Sequence, residues 1–131
     1  MANNAIAFLE EVKGKDLTLT NILGTDDKTS ERIEIPEWNG YVYIRVMSAK
    51  ERSEIEDLCI KIQESKKETG KFRRELIRRT WVQADGTPMI TDDAIATHMM
   101  NKNAMAIERI FEKSCEVNGF RQKDVDTLKK K

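Results

Sequence analysis

Within one uninterrupted stretch, residues 31–58, the spacing of apolar side chains switches from every second residue to every third or fourth. Ile33 and Ile35 alternate with Arg32 and Glu34, and Val42, Ile44 and Val46 alternate with Tyr41, Tyr43 and Arg45. Period-two alternation of β-branched and aromatic residues predicts two half-buried strands. Asn39-Gly40 between them tolerates positive φ and so suits a tight reversal. Pro36 closes the first strand where a missing N–H does least harm. Ser48 followed by Glu51 then forms a capping box, and the period becomes helical. A β-hairpin running straight into a capped helix has few folds open to it: the apolar side of the hairpin must lie against helices.

The rest of the chain supplies those helices. Residues 2–13 carry a stripe of Ala5, Phe8, Leu9 and Val12, ended by Gly14. Residues 17–23 read two ways, as alternating Leu17 and Leu19 or as a short turn capped by Thr18 or Thr20. The helix that begins near Ala49 is expected to reach Glu68, with Ile55, Leu58, Cys59 and Ile62 inward, and Gly70 marks a break. Residues 71–82 predict the next helix, burying Phe72, Leu76 and Thr80, with Ile77 and Trp81 as further candidates. Asp85-Gly86 makes a turn, and Pro88 stops any helix. Thr91 is the expected cap of a short helix with Asp92 and Asp93 in its first turn. Asn101 or Asn103 caps the last long helix, whose inner face is Ala104, Ile107, Ile110, Phe111, Ser114 and Cys115. Asn118-Gly119 ends it as a left-handed cap that lets Phe120 fold back. A final short helix is expected over residues 122–129 with Val125 and Leu128 as its apolar contacts.

The resulting expectation is an α+β, mostly α-helical single domain over residues 1–131. It comprises an N-terminal helix and loop (1–30), one antiparallel β-hairpin (31–46) packed on helices, a helical body (48–128) and a frayed lysine tail (129–131).

Charge separates the function classes. Lys plus Arg and Asp plus Glu stand at 23 each, so the net charge is zero although 35% of residues are charged. A dedicated nucleic-acid or membrane-surface binder carries a basic excess, which argues against both. Arg73, Arg74, Arg78 and Arg79 form the one basic strip. It reads either as a phosphate-binding surface or as a solvated face with Lys71–Glu75 and Glu75–Arg79 pairs at helical spacing. The second reading is preferred, since no aromatic-interleaved motif accompanies the strip. No apolar run approaches the roughly 18 residues needed to span a bilayer, and no secretory signal is evident, so a soluble cytoplasmic protein is expected.

Catalytic chemistry has little to stand on. The single His98 has no Cys or His at metal-ligand spacing, so no metal or other cofactor is expected. Cys59 and Cys115 both fall on apolar stripes and read as buried thiols in a reducing compartment, with a disulfide as the minor alternative. Asp85-Gly86 lacks the spaced oxygens and terminal Glu of a calcium loop. The carboxylates alternate with Lys and Arg, and nothing isolates two of them for acid–base work. No nucleophile elbow, phosphate loop or dinucleotide fingerprint occurs, and the chain is not expected to be an enzyme.

The order of these features resembles the tail assembly chaperones of long-tailed (siphovirus, lambda-like) bacteriophages. One match is Ile33-Glu34-Ile35-Pro36-Glu37-Trp38-Asn39-Gly40-Tyr41-Val42-Tyr43-Ile44-Arg45 followed by Met47-Ser48-Ala49-Lys50-Glu51-Arg52. It is similar to that family's strand, Pro-Glu-Trp-x-Gly turn, strand and helix start. Trp81-Val82-Gln83-Ala84-Asp85-Gly86-Thr87-Pro88-Met89-Ile90-Thr91-Asp92-Asp93 is similar to the family's helix end, Asp-Gly turn and acidic cap. Lys102 through Ala104 to Ile110-Phe111 and Val117-Asn118-Gly119 is similar to its final long helix.

The resemblance implies a non-enzymatic role: binding the tape measure protein and keeping it soluble while tail-tube subunits polymerise around it. It places the protein in the host cell cytoplasm and outside the mature virion. Contact with the tail tube protein would be indirect or through a longer frameshifted form, for which an A-rich codon run at Lys129-Lys130-Lys131 would suit slippage. Self-association stays open. The alternatives are a structural head–tail connector or other virion component, and a small nucleic-acid-binding regulator. An apolar helical client needs aromatic or flexible contact residues. The candidates are Tyr41, Tyr43 and Arg45 on the hairpin, and Trp81 with Met99, Met100 and Met105.

Overall fold

A computed structural model describes residues 16–65 and 70–120. The expected helices over 2–13 and 122–129, the lysine tail, and the last turn towards Glu68 lie outside the described residues. The elements run α1 (Leu19–Leu23), β1 (Ser30–Ile35), β2 (Gly40–Arg45), α2 (Ala49–Ser65), α3 (Gly70–Thr80), β3 (Trp81–Val82), α4 (Asp93–Met100) and α5 (Ala104–Val117). The fold is α+β, with a three-stranded antiparallel sheet ordered β1-β2-β3.

The alternation in the hairpin sets its register. Ile33 pairs with Val42, Glu31 with Ile44 and Ile35 with Gly40. Ile35 and Ile44 are fully buried, Val42 is buried and Ile33 half-buried, all on the face covered by α5. The reversal begins earlier than the Asn-Gly pair. Pro36–Trp38 forms a single 3-10 turn, and Asn39 takes the left-handed conformation at φ 54°, its N–H donating to the Pro36 carbonyl. Gly40 already belongs to β2.

The capping box at the start of α2 is reciprocal. The Glu51 N–H donates to Ser48 Oγ at 3.2 Å, and the Ser48 N–H donates to Glu51 Oε1 at 3.3 Å. At the other end of the chain, α5 closes in a Schellman motif. Gly119 sits at φ 72°, its N–H donating to Glu116, while the Phe120 N–H donates to the Cys115 carbonyl. Phe120 folds back nearly perpendicular to Phe72 of α3, with the Arg52 guanidinium over its ring. Arg52 also donates to the Asn118 and Gly119 carbonyls, placing a cation at the negative end of α5.

Three expectations are corrected. The helix of residues 71–82 stops at Thr80, and Trp81–Val82 become β3, pairing with Ile44 and Tyr43 of β2. Thr80 and Val82 are β-branched and Trp81 aromatic, so a strand costs them little once an edge of β2 is free to pair. Gly70 opens this helix. The cap of α4 is Asp92, one residue after Thr91; its Oδ1 accepts from the Ile95 N–H at 2.8 Å. On α5, Ala106 is fully buried where Ala104 is exposed, which rotates the inner stripe slightly. Asn103 is the cap, accepting from Met105 and Ala106.

The core lies between the sheet, α2, α3 and α5. Where α3 meets α5, the hydroxyls of Thr80 and Ser114 are 2.8 Å apart, and each also lies 2.7 Å from the carbonyl four residues back. Two fully buried hydroxyls are thus satisfied without water. Cys115 is buried and Cys59 half-buried, both as thiols.

Candidate partner-binding surface

The outer face of the sheet carries the residues that the buried alternation leaves over: Arg32 and Glu34 from β1, and Tyr41, Tyr43 and Arg45 from β2. Their availability differs. Tyr41 is 58% exposed, with the Arg32 guanidinium 4.3 Å above its ring. Tyr43 is half-buried and lies opposite Val82 of β3, which is buried. Arg45 is committed inward. Its Nη1 and Nη2 reach Glu51 Oε1 and Oε2 at 3.0 and 2.5 Å, a bidentate pair. That guanidinium, with the Ser48 cap, holds the Glu51 carboxyl down from 4.5 to about 2, against the opposing effect of burial. Arg45 therefore fastens the end of the hairpin to the first turn of α2, and a partner would have to break the pair to use it.

Arg32 takes its place on the surface. Alternation puts it on the outer face; its position over Tyr41 follows only from the register, which sets it opposite Tyr43 and diagonal to Tyr41. An aromatic ring with a guanidinium stacked on it presents a flat, partly desolvated platform.

The second candidate group does not assemble as expected. Trp81 is 3% exposed and stacks on Trp38 at 5.8 Å with an interplanar angle of 13°, so its ring area is spent inside the molecule. Met99 and Met100, at the end of α4, are half-buried against the core. Met105, across the turn in the first turn of α5, is 58% exposed. Only Met105 of this group offers substantial free surface. The exposed apolar side chains also include Leu17, Leu19, Ile22 and Leu23 in and before α1, a helix with no buried residue. Of the two readings of residues 17–23, the structure shows the short helical one, with Thr18 as its cap.

Comparison with family models, with curated proteins and with solved structures returned no match to this chain.

The basic strip of α3 is dispersed into ion pairs. Arg73 pairs with Glu108 of α5 at 3.1 Å and stacks on Phe111; Arg78 pairs with Asp93 of α4; Arg79 pairs with Glu54 of α2 at 3.5 Å. The partners of these three arginines sit on three other helices. Arg74 is the exposed member. Three guanidiniums turned towards carboxylates of neighbouring helices do not form a phosphate-binding row.

A cleft of about 330 Å³ between α2 and α3 is lined mainly by Glu54, Asp57, Lys61, Lys71, Glu75 and Arg79. The two charge signs are mixed along it. His98 is exposed near the end of α4. Among the described residues no three His, Cys, Asp or Glu side chains are grouped to hold a metal ion, and no helix is long and apolar enough to cross a membrane.

Proposed function

We propose that this protein is a non-enzymatic tail assembly chaperone of a long-tailed phage, binding the tape measure protein and keeping it soluble while the tail tube assembles. The observation that carries the reading is the ordered succession of three sequence motifs over about residues 30–128 that resembles that family. The platform of Tyr41 and Arg32 supports it, as a surface suited to an apolar helix. The charge-rich body around it is what a protein needs if it is to keep a long apolar client in solution.

On this reading the protein acts in the host cytoplasm and is left out of the finished virion, and its client is the tape measure protein. The tail tube protein is met indirectly or through a longer frameshifted product. Binding is dominated by apolar burial and persists at moderate salt, in contrast to a phosphate contact. Mass spectrometry of purified particles separates this reading from a head–tail connector: the chaperone is absent from them, and a connector is present in each.

A further inference from the structure

We infer that two copies of this chain pair through the outer edge of β1, antiparallel and centred on Ile33, extending the three-stranded sheet across a two-fold axis into a six-stranded one. Strand β1 is an edge of the sheet, and its free side follows from the hydrogen-bond pattern. The Val46 N–H donates to the Thr29 carbonyl at 2.9 Å, one step beyond the Ser30–Arg45 pair. In an antiparallel ladder such facing residues alternate with residues whose backbone groups point away. Odd-numbered residues of β1 therefore bond to β2, and Ser30, Arg32 and Glu34 turn their N–H and C=O groups outward. No described residue hydrogen-bonds to those outward groups.

Sheet edges are normally protected by charge, and β1 carries Glu31, Arg32 and Glu34. Against a second copy this protection fails, because the charges are self-complementary. With Ile33 opposite the partner's Ile33, Arg32 faces the partner's Glu34 and Glu34 faces the partner's Arg32. Those positions are also the ones with outward backbone groups, so the same register forms backbone bonds and side-chain pairs together. Shifting the centre to Arg32 sets arginine against arginine. Shifting it to Glu34 sets glutamate against glutamate. A shift by one residue in pairing turns the apolar face to the solvent side.

Ile33 adds a second argument. It is the half-buried member of an apolar face on which Ile35, Val42 and Ile44 are all buried. The partner's Ile33 would lie beside it on the same face and complete its cover. The charged pairs set the register, and the apolar pair favours association. This inference is independent of the chaperone reading, because it needs no client.

The test is sedimentation equilibrium of the full chain from low to high micromolar concentration. It compares the wild type, Arg32→Glu, Glu34→Arg and the double variant carrying both changes, with circular dichroism melting to verify folding of each. A reversible dimer is expected for the wild type. Each single change puts like charges opposite each other twice and weakens it by roughly tenfold. The double variant restores opposite charges and recovers the wild-type association. A wild type that stays monomeric throughout overturns the inference. So does a dimer that ignores the single changes, or a folded double variant that remains as weak as the singles.

Discussion

The side chain of Asn118 accepts a hydrogen bond from the backbone N–H of Met47, 71 residues earlier, at 2.6 Å. Its amide nitrogen donates to the carbonyls of Arg45 and Ser114, so one buried amide ties the exit of the hairpin to the end of α5. The Asn118-Gly119 pair thus does more than end a helix. It fastens the exit of the hairpin to the C-terminal end of α5.

Replacing Asn118 with Ala strands the Met47 N–H in a buried place. The expected loss is about 2 kcal/mol, from the cost of an unsatisfied buried donor. Urea unfolding measures it, and an unchanged midpoint would show that water replaces the amide without penalty.

The neighbouring Gly119 sits at φ 72°, and an added Cβ would lie 3.1 Å from the Arg52 guanidinium. Gly119→Ala is expected to destabilise by about 1 kcal/mol, because Ala is strained in that conformation. Thermal melting reads this, and wild-type stability would mean that the Schellman end relaxes freely.

Stability should depend on acid through Glu51. Its folded pKa is depressed from 4.5 to about 2, chiefly by the bond from Arg45. The contribution is therefore fully present above pH 4.5 and is lost as pH falls towards 2; it is on the order of 2 kcal/mol. Unfolding free energies measured between pH 6 and pH 2 should fall in the wild type. In Glu51→Gln the slope should be shallower over that window, and equal slopes would remove the Arg45–Glu51 pair as the cause.

Ile44 is fully buried between the sheet and α5. Ile44→Asp buries an unpaired charge and should cost roughly 3 kcal/mol or more. Cooperative unfolding with an unchanged midpoint in this variant would contradict the register of β2.

How much of this could be read from the sequence depended on range. The hairpin, the Ser48–Glu51 box, the long helices and the left-handed end at Gly119 are short-range patterns, and all are legible in the residues that form them. Trp81–Val82 is not, because a two-residue strand exists only where Ile44 and Tyr43 offer it an edge. The same limit applies to the surface. Alternation puts Tyr41, Tyr43 and Arg45 on one face, but not the loss of Arg45 to Glu51, six residues on, nor the arrival of Arg32 from the other strand. The sequence offers Trp81 both as a buried candidate and as an aromatic among methionines; the structure decides for burial, with Trp38 stacked on it through the fold. The dispersal of Arg73, Arg78 and Arg79 to three helices is a tertiary result in the same way.

On the proposed function, the most direct measurement is co-expression of a long-tailed phage's tape measure protein, from the genome that encodes this chain, with and without it, followed by pull-down from the soluble fraction. The proposed function predicts that the tape measure protein becomes soluble and co-purifies only when this chain is present. Changing Tyr41 and Tyr43 together to Ser should weaken that association by about 2 kcal/mol while leaving the buried hairpin face intact. A tape measure protein that is equally soluble alone, and never co-purifies with this chain, would contradict the chaperone role.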